Sequence, residues 1–141
     1  MKRILSLVLA LMLLFSSSLA VIAAESRSSS YINSCSVWLT KTSSTSFNVN
    51  FSISGKGMPI SEIGVNSIVV EVSSDGENWE YDRKLTPSSY PQMLSSGVST
   101  YAASVPCSGI TGNYYRVMVA FHVKNGNGTG IQYAYSGYVY L

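Results

Sequence analysis

The chain has 141 residues, 46% hydrophobic and 11% charged, with nine Lys and Arg against seven Asp and Glu. That length suits one small domain. Its scattered cations, Lys41, Lys56, Arg83, Lys84, Arg116 and Lys124, exclude the clustered positive surface that nucleic-acid binding requires.

In chain order, Met1-Lys2-Arg3 opens a charged segment, Ile4 to Phe15 is apolar apart from Ser6, and Ser16 to Ala24 is rich in small residues. This is the pattern of a secretory signal peptide over residues 1–24. A 12-residue apolar run is well short of the roughly 20 residues that cross a bilayer. Cleavage after Ala24 leaves 117 residues, and because Lys2 and Arg3 depart with the leader, seven cations then balance seven anions. The expected product is secreted, carries no membrane anchor after cleavage, and consists of a flexible Ser-rich leader (25–30) and a single domain (31–141).

From Tyr31 onward the residues alternate with period two. Cys35, Val37 and Leu39 oppose Ser36 and Thr40, with Trp38 an exception on the polar parity. After the polar turn Lys41 to Thr45, Phe47, Val49, Phe51 and Ile53 fall on one face and Asn48, Asn50 and Ser52 on the other. Gly55 to Pro59 ends this hairpin. A β-branched run follows at Ser67 to Ser73, then a turn at Asp75-Gly76, whose residues suit positive φ, and a return strand from Trp79 to Leu85. The Pro-containing stretch Thr86 to Gly97 lacks a period. A strand at Ser99 to Val105 precedes the longest hairpin, Tyr114 to Val123, a turn over Lys124 to Gly130, and Ile131 to Leu141. Tyr115, Val117, Val119, Phe121 and Val123 form its buried stripe. Gly137 interrupts the last strand, which predicts a bulge there, buried odd positions before it, and Tyr138 and Tyr140 on the opposite parity. The fold class is all-β: an antiparallel β-sandwich with six to eight strands.

Ser73 to Trp79, Tyr115-Arg116-Val117 and the Asn/Gly-rich final turn resemble strand pairs of immunoglobulin-like and fibronectin type III-like modules. Asn48 to Ile53, Glu62-Ile63-Gly64, Tyr90-Pro91-Gln92-Met93 and Tyr114 to Val123 further resemble a family of small secreted proteins of Gram-positive bacteria. Pro59-Ile60-Ser61 departs from that pattern. The resemblance spans most of residues 31–135 and implies export and a sandwich, with no established activity attached.

Cys35 and Cys107 are an even pair in an exported chain, which predicts a disulfide closing roughly 70 residues and worth about 4 kcal/mol. A fibronectin-like topology opposes this, because it sets the two strands' cysteines at opposite poles, whereas a bond needs Cα atoms within about 7 Å.

Catalytic chemistry finds little support. His122, the one histidine, would have to serve any triad or histidine-based metal site, and its parity places it on the outer face with Arg116, Met118 and Lys124. Asp75, Glu77 and Asn78 lack the bidentate carboxylate of a calcium loop. Glu71 and Glu80 face each other across their hairpin in some registers, as a glycosidase pair would. Gly55-Lys56-Gly57 is too short to cradle phosphate. No catalytic residue, metal or cofactor is expected. Of ten tyrosines, Tyr138 and Tyr140, with Arg116 and His122, would form an amphipathic contact face for a glycan or an extracellular protein. The expected function is a secreted, non-catalytic binding or interaction module. The alternative is an inhibitor or effector acting through loops such as Thr86 to Gly97, and a hydrolase ranks third.

Overall fold

A computed structural model describes residues 29–141, so the expected signal peptide and residues 25–28 of the leader lie outside the described residues. The chain forms strands β1 (Ile32–Ser43), β2 (Ser46–Gly55), β3 (Ile60–Ser73), β4 (Glu80–Leu85), β5 (Leu94–Ser95), β6 (Thr100–Ser108), β7 (Tyr114–Asn125), β8 (Gly128–Tyr135) and β9 (Val139–Tyr140). Two antiparallel sheets pack face to face. One has the order β1-β2-β6. In the other, the order is β4-β3-β7-β8, with β5 also on β3 and β9 also on β7. This is the antiparallel sandwich expected from the alternation, with seven strands of six residues or more and two of two residues.

Period-two alternation sets the core. Phe47, Val49 and Phe51 of β2 and Ile63, Val65, Ile68 and Val70 of β3 are fully buried, as are Val117, Val119, Phe121 and Val123 of β7. Phe51 meets Phe121 edge-on across the layers, ring centroids 6.4 Å apart. Each such side chain stabilises the fold by about 2 kcal/mol on burial. Tyr115 is buried beside Phe47, and its hydroxyl accepts a hydrogen bond from the backbone N–H of Ile110, five residues upstream, at 2.8 Å. That is the tyrosine corner of immunoglobulin-like sandwiches. The stretch Thr86 to Gly97 is anchored rather than free. Met93 is completely buried, Leu94 and Ser95 pair with Gly64 and Ile63, and Tyr101 Oη donates to the Gln92 carbonyl at 2.8 Å.

Cys35 and Cys107 do not form a disulfide. Cys35 stands opposite Ile53 of β2 and Cys107 opposite Phe47 of the same strand. Six residues along one strand separate the two levels by roughly 20 Å, so the polar separation implied by the topology prevails over the compartment argument. Burial pushes both thiols above their ordinary pKa, and at Cys107 the nearby Arg83 partly offsets that. Neither is therefore primed as a thiolate.

Strand β3 is longer than the Val-rich run Ser67 to Ser73 suggests, because two bulges let it continue through residues that break the alternation. The register shifts between Ile60 and Glu62 and again between Val65 and Ser67, which makes Asn66 the extra residue. A further shift between Val70 and Glu71 sets Tyr81 opposite Glu71 and Glu80 opposite Val72. Glu71 and Glu80 consequently point to opposite sides of the sheet, which removes the carboxylate pair.

Candidate functional site

The outer face of the six-stranded sheet is built by the even residues of β7. In the antiparallel register Arg116 lies beside Glu71, Met118 beside Val69 and Tyr135, Ala120 beside Ser67 and Tyr133, and His122 beside Gly64 and Ile131. Hence Ile131, Tyr133 and Tyr135 face outward, 45%, 58% and 58% exposed. This corrects the expectation that the odd positions before Gly137 are buried. The turn is not Lys124 to Gly130 but the two residues Gly126 and Asn127, with Asn125 paired to Gly128. Odd residues of β8 therefore pair with even residues of β7, which point away from the core.

At Ser136 and Gly137 the parity switches, and β9 resumes along β7 with Tyr140 opposite Tyr114. Ser136 bridges the switch: its N–H donates to the Val117 carbonyl, and its hydroxyl accepts from the Val117 N–H, each at 3.0 Å. Tyr138 and Tyr140 therefore rejoin the outer face, 63% and 51% exposed. One sheet margin thus carries a column of Ile131, Tyr133, Tyr135, Tyr138 and Tyr140.

Arg116 organises this column. Its guanidinium carbon lies 4.4 Å from the Trp79 ring centroid and 5.4 Å from that of Tyr135, while Nε donates to Glu71 Oε2 at 2.5 Å. Trp79 stands 6.5 Å from Tyr138, Tyr138 is 5.4 Å from Tyr114, and Tyr114 is 4.7 Å from Tyr140, centroid to centroid. Cation–π stacking of this kind contributes about 0.5–1 kcal/mol per contact at exposed positions, and it fixes ring orientation. Trp79 reaches Arg116 because its turn is tightly set. Gly76 takes a φ of 76°, and Asp75 Oδ1 accepts hydrogen bonds from the N–H groups of Glu77 and Asn78 and from Ser73 Oγ, at 2.8 to 2.9 Å. These bonds hold the Asp75 carboxyl well below the ordinary carboxylate range, the Asn78 bonds contributing most. The turn's own donors engage this carboxylate.

His122 lies on the same face but is 6% exposed, so it is part of the support and not of the accessible surface. Asn66, turned outward by its bulge, donates from Nδ2 to His122 Nδ1 at 3.1 Å, and Glu62 Oε1 sits 2.7 Å from Nε2 without hydrogen-bond alignment. Gly64 beneath it has a φ of 146°, and a Cβ there would overlap the Met93 carbonyl oxygen. Two depressions of about 250 and 240 Å³ occur elsewhere, lined by Ser34, Ser54, Thr100 and Tyr101 in one and by Ser73, Asn78, Glu80 and Asn113 in the other. Among the described residues, no three His, Cys, Asp or Glu side chains cluster as metal ligands would.

Of the four residues read from the sequence as a contact face, Arg116, Tyr138 and Tyr140 come together, while His122 lies farther along the sheet beneath its neighbours. Trp79, Tyr133, Tyr135 and Glu71 were not among those four. For Tyr133 and Tyr135 the signal was the Asn-Gly-Asn-Gly run at 125–128, which permits a two-residue turn over Gly126 and Asn127 and so reverses the facing of β8. No protein-family model matches the chain, and no curated protein matches it in sequence.

Proposed function

We propose that this chain is a secreted, non-catalytic binding module that engages an extracellular glycan or protein through the outer face of its six-stranded sheet. The observation that carries this reading is the margin of exposed tyrosines, Tyr133, Tyr135, Tyr138 and Tyr140, beside an arginine stacked on Trp79. Tyrosine rings supply apolar area at low entropic cost, and their hydroxyls add polar contacts, a combination suited to sugar faces and protein surfaces alike. Arg116 is held by Glu71, so the face offers pre-oriented groups and little net charge. Export by residues 1–24, as in the secreted Gram-positive family that the chain resembles, belongs to the same reading.

The test is retention of the secreted chain on insoluble cell-wall glycan and on immobilised surface proteins. Binding should vanish in the Tyr138→Ala, Tyr140→Ala double variant and persist in Trp38→Ala, which alters the opposite side of the sandwich. Equal retention of all three proteins would contradict the proposal. Hydrolysis of the glycan that vanished with His122→Ala would replace it with the hydrolase reading.

A further inference from the structure

The two margins of the six-stranded sheet are protected very differently. β4 carries Glu80, Asp82, Arg83 and Lys84 among its six residues, a charge density that discourages another strand from pairing. β8, the eight residues Gly128 to Tyr135, has no charged residue and no proline, and among the described residues it pairs with β7 alone. Tyr31 and Ser29 crowd its beginning: Tyr31 Oη donates to the Asn127 carbonyl at 3.3 Å, and both residues pack against Gly130. Among the described residues, Ile131 to Tyr135 remains as an open segment.

Backbone polarity along that segment follows from two observations. The turn closes on the pair Asn125 and Gly128, and Ser136 N–H donates to Val117. Antiparallel ladders alternate residues bonded to a neighbour with residues whose N–H and C=O point the other way. The even residues of β8 therefore bond to β7, and Ile131, Tyr133 and Tyr135 direct both backbone groups outward. The same three residues place their side chains on the aromatic face.

We infer that β8 is a dimer interface, in which a second copy of this chain adds its own β8 antiparallel about a two-fold axis at Tyr133. The segment is complementary to itself in that register. Tyr133 meets its own counterpart, Ile131 meets Tyr135 of the second copy, and all three opposed pairs exchange both backbone hydrogen bonds. Aromatic and β-branched residues opposed in this way stabilise an antiparallel pair, and no like charges meet. Directly opposed residues share a side of the sheet, so the two aromatic margins join into one platform across the axis. The inference does not depend on the binding proposal, since it concerns the edge of the sheet and a different set of substitutions.

Sedimentation of the secreted chain over a concentration series tests it. The wild type and Tyr133→Phe should form a reversible, concentration-dependent dimer. Tyr133→Lys and Tyr133→Glu should each be monomeric, yet an equimolar mixture of the two should dimerise, because only there do opposite charges meet at the axis. Unchanged circular dichroism and a cooperative melt would confirm that the variants fold, while the wild type should melt at a temperature that rises with concentration. In the wild type, amide exchange at Ile131, Tyr133 and Tyr135 should slow as concentration rises, while Gln132 and Ala134 stay slow throughout. A wild type that stays monomeric up to its solubility limit, a dimer that survives Tyr133→Lys, or a mixture that fails to associate would each overturn the interface.

Discussion

The two outward faces of the sandwich are made by the same period-two rule yet differ in what they leave unsatisfied. On the three-stranded sheet the outward residues bond to one another. Ser36 pairs with Ser52 at 2.9 Å, and Asn50 donates to Thr40 Oγ1 at 2.9 Å while accepting from Ser104 at 2.7 Å. Trp38, 48% exposed, is the large apolar side chain within that polar ladder. On the six-stranded sheet the outward residues include exposed tyrosines, a tryptophan and a stacked arginine, whose ring faces and edges meet solvent. Exposed aromatic area concentrated on one side of a small protein marks a contact surface, whereas single exposed hydrophobics do not.

Both faces stand on one shared core, so the largest effect should abolish the contrast altogether. Phe51→Ala, in the centre of that core, should cost about 3–5 kcal/mol in chemical denaturation and weaken both faces together. Removing the hydroxyl of the tyrosine corner is smaller and local. Tyr115→Phe should cost about 1 kcal/mol while leaving glycan or protein retention unchanged at temperatures where the variant is folded. Arg116→Ala sharpens the comparison from the other direction. It should lower ligand affinity roughly tenfold and cost about 1 kcal/mol of stability through its lost ring contacts, as measured by titration calorimetry and thermal melting.

The smallest effect concerns the turn that places Trp79. The folded Asp75 carboxyl is held below its ordinary value, so the stability it contributes is fully present above about pH 4 and is lost as pH falls through the folded value. Asp75→Asn should therefore lose less melting temperature than the wild type between about pH 6 and about pH 2. An identical acid slope in both proteins would show that the carboxylate does not hold the turn.

The core was legible because β2 and β7 alternate without interruption, so Phe47, Val49 and Phe51 and the stripe from Tyr115 to Val123 follow directly from spacing. The aromatic face was legible only in part. Arg116, Tyr138 and Tyr140 follow from parity, but Tyr133 and Tyr135 depend on whether the β7–β8 turn has two residues or seven, and one residue of difference reverses a strand's facing. His122 was placed on the correct side, but its burial depends on Asn66, which a bulge turns toward it. The cysteine pairing could not be read from composition, because it depends on how far apart two strands' residues fall along a third. The tyrosine corner had a faint trace in the five-residue spacing from Ile110 to Tyr115, which becomes meaningful once β7 is known to follow a loop.

Hydroxyl-radical footprinting of the chain on cell-wall glycan tests the central claim most directly, since both faces carry an aromatic reporter. The account predicts protection of Tyr133, Tyr135, Tyr138 and Tyr140 with Trp38 reacting as in the free protein. Protection of Trp38 with the four tyrosines unchanged would contradict it.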